Sequence, residues 1–348
     1  MRVLRYVVPK EWDGAAVKTF AREYLELSAH ALAGQKFEGG ILVNARACHV
    51  TERLKRGDIL EFVLAPEGGG YPYEELPLSI VYEDEDFLLA DKPPGMPVHP
   101  SPGHDRDSLV QAAAWHYRRT GQRWAIKPLF RLDKDTSGLL PIAKHRIAAG
   151  ARTKKTYLAL CQGVLSGSGT VEVPIGLRED SRILRTWGGA DPRPAVTHWR
   201  ALASREDHTL VSLWLETGRT HQIRVHMAYL GHPLAGDDLY GGSLARISRQ
   251  ALHCRCLELS CKALNFRRTF RSPLPRDMAE AFPWIQTLDC EGDFCDKSYD
   301  CSAEPGNLEG SEPGQPALQG NRQAEALPPG RQMELGRGAV PPSLSEKI

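Results

Sequence analysis

No stretch of this 348-residue sequence approaches the roughly 18 to 20 consecutive apolar residues that a membrane-spanning helix requires. The opening residues, MRVLRYVVPKEWDG, have too short an apolar run and carry charge too early for a secretory signal. The chain also shows no internal repeat. These absences predict a soluble, cytoplasmic protein that has no membrane partner.

A structural zinc site is not expected, because its paired cysteine spacing is missing. Eight cysteines are scattered along the chain, which favours reduced thiols over a disulfide framework. Cys254, Cys256 and Cys261 do lie near His253, and this group is the one candidate for a metal. However, the segment ALHCRCLEL alternates at strand period and no second pair follows at a useful distance.

Strong net charge is lacking as well, since 44 basic and 43 acidic residues nearly cancel. The distribution is uneven, because residues 286–348 contain 5 basic and 11 acidic residues and leave 39 basic and 32 acidic residues for the rest. The part before residue 286 is therefore basic, which modestly favours a polyanionic partner. Residues 286–348 are rich in Pro, Gly, Glu and Gln, and we predict a disordered acidic tail there.

The first 66 residues have the pattern of a small α+β unit. Apolar spacing from Asp13 to Leu32 predicts one or two short helices, and strands are predicted at 41–43 and 59–64. Asn44-Ala45 is the predicted turn after the first of these strands. Residues 67–77, which include Gly-Gly-Gly-Tyr-Pro, are predicted to form a linker.

Residues 78–285 form the second predicted domain. They are rich in strand patterns such as TYLALCQG and HTLVSLWLETG, with helices near 108–119 and 221–229. Strands and helices do not alternate regularly, as they would in a doubly wound sheet. The pattern therefore predicts an α+β fold.

The stretch FRLDKDTSGLL, from Phe130 to Leu140, is the densest cluster of chemically useful side chains, and three interpretations compete for it. A calcium loop would use Asp133, Asp135 and Ser137, but its twelfth position, which needs a carboxylate, is Lys144. A phosphatase of the haloacid-dehalogenase type would use the D-x-D-x-T pattern that begins at Asp133. Arg131 interrupts the apolar strand that should precede that pattern, and the later acidic pairs for magnesium are absent. The third interpretation is a lone aspartate that acts on a sugar.

Several ordered motifs favour the third interpretation. FRLDKDTSGLLPIAKH resembles the R-L-D-x-x-T-S-G signature of the RluA-type RNA pseudouridine synthases. The likeness continues in VYEDEDFLLADKPPGMPVHP, in KKTYLAL, around Ala195-Val196-Thr197, in ETGRTHQIRVHMAYLGHPLAGDDLYGG and in QALHCRCLEL. It covers about residues 78–282. One departure is Phe130, where the family usually has histidine, so the fit of the substrate near that strand is in question.

The resemblance implies a catalytic domain with a mixed, largely antiparallel sheet and the isomerisation of uridine to pseudouridine in RNA. Asp133 matches the family's catalytic acid, which attacks or deprotonates the ribose and leaves again. Arg224 matches the cation that keeps this acid ionised, with Arg219 as a rival for that role. Tyr157 matches the tyrosine that lines the pocket and takes part in the removal of the proton from carbon 5.

Three further residues are expected to bind the substrate. Arg131 matches the arginine that fills the gap left by an extruded base. Lys155 lies on the same face of its predicted strand as Tyr157, and it is expected to contact backbone charge together with Arg219. Asp135, His221 and His226 are assigned structural roles, and the chemistry calls for no metal, nucleotide or redox cofactor.

GGILVNARACHVTERLKRGDILEF resembles the alpha-L RNA-binding module of a small-subunit ribosomal protein, with Lys18, Arg22 and Lys36 as candidate RNA contacts. Two-part chains of this layout favour large-subunit ribosomal RNA as the substrate, with transfer RNA second, and a monomer is expected. The alternative from another class is a non-catalytic protein that binds RNA or assists ribosome assembly. An intact set of Asp133, Tyr157 and Arg224 argues against that alternative.

Overall fold

Three sheets and five α-helices organise the part of the chain that the structure, a computed structural model, describes: residues 1–286 without 38, 69 and 182, and without the side chains of 36 and 37. Strands β1 to β17 are Arg2–Val7, Ile41–Val43, Arg46–Ala47, Ile59–Leu64, Ser79–Glu83, Phe87–Lys92, Lys127–Pro128, Ser137–Ala143, Arg152–Gln162, Ser168–Val171, Ile175–Leu177, Arg185–Trp187, Ala190–Arg193, Thr197–Arg205, His208–Leu215, Leu252–Cys261 and Phe266–Arg271. Helices α1 to α5 are Val17–Thr19, Ala29–Phe37, Leu109–Arg119, Gln222–Tyr229 and Arg276–Ala281, and a π-helical turn, Phe20–Tyr24, follows α1. Among these residues no helix is long and apolar enough to cross a membrane.

The largest sheet has ten strands in the order β10-β14-β15-β9-β16-β8-β6-β5, with β17 beside β16 and β7 beside β8. All of its pairs are antiparallel except β8 with β16. Strand β8 is buried at all seven positions, as expected for a central strand with both faces covered. The predicted α+β fold with a mixed, largely antiparallel sheet is confirmed.

Both helices predicted in the second domain are present next to this sheet. Ser108 begins α3 through a capping box with Gln111, and this is why the helix starts where the sequence predicted. One hydrophobic cluster joins buried residues of α3 and α4 to those of the central strands, among them Val110, Ile223 and Leu139. The two helices and the front of the sheet thus share a core.

The N-terminal sheet has the order β1-β4-β2-β3. The predicted strands at 41–43 and 59–64 are present, and Asn44 and Ala45 form the turn between β2 and β3 with φ angles of 51° and 62°. The Asn44 side chain secures this turn, because it donates to Asp58 and accepts from the backbone of Ile59. Strand β1, which pairs with β4, was not predicted from the sequence.

The N-terminal region and the large sheet share a second hydrophobic cluster. Phe20 and Phe62 lie in it together with Phe87 and Ile147 of the following domain. Polar contacts cross the same boundary, since Arg2 binds Asp86 and Tyr6 donates to a carbonyl of residue 263, while Glu26 pairs with residues 152 and 262. The division into domains at residues 66 and 78 stays a prediction.

The predicted linker, residues 67–77, lies against the second domain. Glu67 pairs with Lys127 and Arg146, and the ring of Tyr73 stacks on Trp115 of α3. The predicted acidic tail lies outside the described residues from residue 287 onward. Among the described residues, Cys48, Cys161, Cys254 and Cys261 are free thiols, which agrees with the expectation that no disulfide framework is present.

Candidate active site

A cavity of about 350 Å³ opens between the loop before β8, strand β9 and the N-terminal end of α4. All six predicted site residues line it: Arg131, Asp133, Lys155, Tyr157, Arg219 and Arg224. These residues are separated by up to 93 positions in sequence, and the fold brings them together because β8 and β9 both pair with β16. The six predicted residues therefore meet in one cavity, and their roles there stay predictions.

Asp133 faces a guanidinium that is itself held by a second carboxylate. Arg224 Nη1 lies 3.4 Å from Asp133 Oδ2, while its Nε and Nη2 donate to Asp237 at 2.7 and 2.6 Å. Arg224 and Asp237 are almost completely buried, whereas the side chain of Asp133 is 23% exposed. Two carboxylates share one guanidinium here, so Asp133 is oriented by Arg224 without being fully neutralised.

Tyr157 forms a buried wall of the same cavity. It lies in the middle of β9, directly opposite Cys254 of the neighbouring strand β16. Burial raises the pKa of Tyr157 well above its ordinary value, and Cys254 and Asp133 raise it further. Tyr157 is therefore a neutral phenol near pH 7.

The three predicted substrate-binding residues present cations to the cavity in different ways. Arg131 and Arg219 are exposed, and Arg219 Nε donates to the carbonyl of Pro194 at 3.0 Å. Lys155 is partly buried, with its ammonium 4.2 Å from the ring centre of Phe130. Burial lowers the pKa of Lys155. Phenylalanine at position 130 thus forms a cation–π contact with a lysine of the cavity.

Two buried cations donate hydrogen bonds to backbone carbonyls of the loop that carries Asp133. Lys92 Nζ donates at 2.8 Å to the carbonyls of Pro93, Met96 and Lys134, and three acceptors require the three protons of an ammonium. Burial lowers the pKa of Lys92 to about 7. Lys92 thus fixes the residue next to Asp133.

Arg249 is the second of these cations. Its Nη1 donates to the carbonyl of Asp135 at 3.0 Å, and its Nε and Nη2 bind the carboxylate of Asp277 at 2.6 and 2.9 Å. Gln250 donates to the Thr136 hydroxyl at 3.3 Å. Arg249 therefore fixes the backbone of Asp135, and the structural role assigned to the Asp135 side chain stays a prediction.

Gly138 permits the only parallel pairing among the described strands. Its φ is +114°, and a Cβ at this position would lie 2.3 Å from the carbonyl oxygen of Cys254. Any side chain would push β8 away from β16. The glycine of the T-S-G motif thus sets the distance between the Asp133 loop and β16.

Sequence reasoning missed Asp237, Lys92, Arg249 and Tyr240 as parts of the site. Tyr240 lies under the Arg224 guanidinium at 5.0 Å and is hydrogen-bonded to His221 Nδ1 at 2.7 Å. The signal was present, because Asp237 and Tyr240 stand in the GDDLYGG segment and Lys92 in the DKPPG segment. Their roles depend on which distant residue they face, which the motifs do not reveal.

The two histidines that were assigned structural roles differ. His226 is buried between the Thr197 hydroxyl and the carbonyl of Val173, each at 2.9 Å, as expected for a structural residue. His221 begins α4 in the left-handed conformation, with φ of 59°, and lines the cavity. Its position beside Arg224 places it within the site.

Comparison with known proteins identifies the family. The model of the RNA pseudouridylate synthase family matches residues 86–229. The RNA pseudouridine synthase YjbO of Bacillus subtilis is 42% identical over 277 residues, which cover 76% of this chain and 97% of that protein. The chain belongs to the RNA pseudouridine synthases. It is an enzyme of the RluA type that isomerises uridine in RNA.

Two further similarities agree with this assignment. The ribosomal large subunit pseudouridine synthase D of Pseudomonas aeruginosa is 35% identical over 305 residues, covering 81% of this chain and 94% of that protein. The structure of human RNA pseudouridylate synthase domain containing 4 matches 60% of this chain and 93% of its own, with a TM-score of 0.50 and 22% identity, and this shows a shared fold. The family assignment takes the place of two earlier interpretations of the sequence, namely a phosphatase and a non-catalytic protein that binds RNA or assists ribosome assembly.

Proposed function

We propose that this pseudouridine synthase modifies structured large-subunit ribosomal RNA and that Asp133 is the group that acts on the ribose. The observation that carries the second part is the contact between Asp133 and the clamped guanidinium of Arg224 in a cavity. The first part is supported by relatives whose names include the ribosomal large subunit, and by the excess of basic residues before residue 286.

In this proposal, the Asp133 carboxylate either bonds to the anomeric carbon or removes a proton from the neighbouring carbon, and the bond from the ribose to the base nitrogen breaks. The detached uracil turns within the cavity, and its carbon 5 bonds to the anomeric carbon as the Asp133 carboxylate leaves that carbon or returns the proton to its neighbour. The carbon 5 proton is then lost, and the ring nitrogen that left the ribose gains one. Arg224 contacts the carboxylate and balances its charge while the cavity is closed by RNA. Asp237 positions Arg224 through two hydrogen bonds, so it is a positioning residue.

Tyr157 is assigned to holding uracil while it turns. Its aromatic ring forms part of the wall, and base–aromatic stacking tolerates rotation of the base because every orientation presents the same face. A phenol whose pKa is raised well above 10 is a poor acceptor for the carbon 5 proton near pH 7.

The cations at the cavity entrance suit an extruded nucleotide. Removing a base from a folded RNA costs a few kcal/mol, which new contacts must offset. The exposed guanidinium of Arg131 has the planar shape that can fill the vacated stack, and Arg219 and Lys155 can bind the adjacent phosphates.

We further propose that residues 1–66 form an RNA-binding module. Lys18 and Arg22 are exposed there, while the side chain of Lys36 lies outside the described ones. The module would add phosphate contacts and so make binding depend on salt concentration. As a consequence, replacing Lys18 and Arg22 with glutamine should flatten the salt dependence of RNA affinity.

The test uses unmodified large-subunit ribosomal RNA and unmodified transfer RNA, each incubated with the purified enzyme. Pseudouridine is located by carbodiimide treatment and reverse-transcription stops. Stops at defined positions of the ribosomal RNA that require the Asp133 carboxylate are the expected result. Stops in transfer RNA alone would overturn the substrate, whereas stops that persist in Asp133→Asn would overturn the catalytic assignment.

A further inference from the structure

A second cavity, of about 420 Å³, lies between the predicted linker, residues 67–77, and the C-terminal half of α3. Its volume falls within the roughly 300 to 1,000 Å³ that is typical of small-ligand pockets. Residues 70–73 form one side, and residues 114–126 form the other. None of the residues that line the first cavity lines this one.

The lining is aromatic and cationic. Tyr71, Tyr73, Tyr117 and Trp124 supply rings, Arg118 and Arg123 supply guanidinium groups, and the lining includes no carboxylate. The Arg118 guanidinium lies 4.3 Å from the ring centre of Tyr73, whose other contact is the stacked ring of Trp115 at 5.8 Å. Rings for stacking beside cations for phosphate are the combination with which proteins bind single-stranded nucleic acid.

One polar group of the cavity wall has no partner. Tyr117 is only 3% exposed, and among the described residues its buried hydroxyl finds no hydrogen-bond partner. A buried hydroxyl without a partner is uncommon, because its desolvation is not compensated. The neighbouring amide of Gln122 is already engaged by Lys144 and Glu83, so it leaves the Tyr117 hydroxyl unsatisfied.

The Tyr71 ring at the edge of this cavity is held by a neighbouring histidine. Its hydroxyl lies 3.4 Å from His99 Nδ1, and the two ring centres are 6.2 Å apart. This contact positions one of the rings that the cavity offers for stacking.

We propose that the cavity lined by Tyr71, Tyr73, Tyr117 and Trp124 binds an unpaired nucleotide of the substrate RNA other than the target uridine. The base stacks on the rings, the Tyr117 hydroxyl bonds to its edge, and Arg118 and Arg123 face its phosphates. This inference rests on RNA being the substrate, and it adds a second point of recognition outside the reaction site. The enzyme would thereby favour target uridines that have an accessible unpaired neighbour.

The test measures both affinity and turnover on unmodified large-subunit ribosomal RNA. Tyr73→Ala is expected to raise KM by about 5- to 100-fold, the range that corresponds to the loss of one stacked base. Tyr117→Phe removes one hydroxyl from the core and should raise KM by about 3- to 10-fold. The loss should appear in KM and not in kcat, which a general loss of folded enzyme would lower instead.

Matched variants separate the pocket from its surroundings. Tyr73→Phe keeps the ring and should restore the affinity that Tyr73→Ala loses, while Arg118→Gln should weaken binding more than Arg119→Gln, because Arg119 does not line this cavity. Ultraviolet cross-linking with an oligouridylate that contains 5-iodouridine should label peptides containing residues 71–73 or 117–124. Unchanged KM in Tyr73→Ala and Tyr117→Phe, or cross-links confined to the Asp133 cavity, would overturn this inference, even if isomerisation itself proceeds.

Discussion

Two arginine–aspartate pairs lie on either side of the Asp133 loop and do different work. Arg224 binds Asp237 through two short hydrogen bonds, and Arg249 binds Asp277 in the same way. Arg224 directs its remaining nitrogen at Asp133 in the cavity, whereas Arg249 directs its remaining protons at backbone carbonyls and the Ser137 hydroxyl. The same pair of side chains thus faces the proposed reaction site in one case and holds the backbone of the loop in the other.

Arg224 and Arg249 differ in the group that each contacts besides its aspartate partner. A backbone carbonyl stays where the fold puts it, so the Arg249 side is satisfied in a single arrangement. Asp133 is a partly exposed side chain at 3.4 Å, a long contact that leaves it free to approach a sugar. The comparison teaches that the arginine proposed for the reaction differs from the supporting one in having a long, incomplete contact that faces a cavity.

The largest expected effect is from Asp133→Asn. The amide keeps the size of the side chain and removes its negative charge, so kcat should fall by at least about 1,000-fold. RNA affinity should change little, because the cations of the cavity entrance remain. Tritium release from RNA labelled at carbon 5 of uridine measures the rate, and fluorescence anisotropy measures affinity. A rate within tenfold of the unaltered enzyme would remove Asp133 from the mechanism.

The next largest effect is a difference in the free energy of unfolding between Arg224→Met and Arg249→Met. Removing Arg224 leaves Asp237, which has no exposed surface, without its partner, and this costs about 3 to 5 kcal/mol of the free energy of unfolding. Asp277 is 41% exposed, so water can replace its partner and the loss should be smaller. Urea unfolding gives both values.

Activity should separate the same two positions when charge is kept. Arg224→Lys should lower kcat by about 100-fold, because an ammonium cannot bind Asp237 in a bidentate way and also reach Asp133. Arg249→Lys should lower it by less than about tenfold at a temperature at which both proteins are folded. Equal losses of kcat in the two variants would contradict the proposal that Arg224 takes part in the reaction while Arg249 only supports the loop.

A smaller effect is expected from Tyr157→Phe. The ring that holds uracil remains, so kcat should fall by less than about tenfold. The hydroxyl lost is one that does not ionise near pH 7, because burial raises the pKa of Tyr157 well above its ordinary value. If tritium release shows that kcat falls by 100-fold or more, Tyr157 is instead the group that removes the proton from carbon 5.

The smallest effect concerns Lys92 and pH. Burial lowers the pKa of folded Lys92 to about 7, whereas an unfolded lysine titrates near 10.4. Between these values the unfolded chain binds this proton more tightly, so the Lys92 contribution to the free energy of unfolding increases as pH rises through the window. Urea unfolding at about pH 7 and pH 9 should show this increase in the unaltered protein relative to Lys92→Met. Parallel pH dependence in the two proteins would contradict it.

Much of the large sheet was predictable, because continuous apolar runs such as those of β8 and of the second half of β9 are local patterns. Strand β1 was missed because six residues with two arginines pair with a strand more than fifty residues away, and nothing local signals that partner. The site was predictable as far as ordered motifs extend, and all six predicted residues meet in one cavity. Asp237 and Lys92 could not be assigned, because their function is to hold a residue distant in sequence.

The most direct test of the central claim is a pseudouridine map of total RNA from cells in which the gene carries Asp133→Asn. The protein should accumulate normally, and defined sites in large-subunit ribosomal RNA should change from pseudouridine to uridine while all other sites stay modified. A map identical to that of unaltered cells, with the variant protein present, would contradict the claim that the Asp133 carboxylate in the Arg224 clamp carries out the isomerisation.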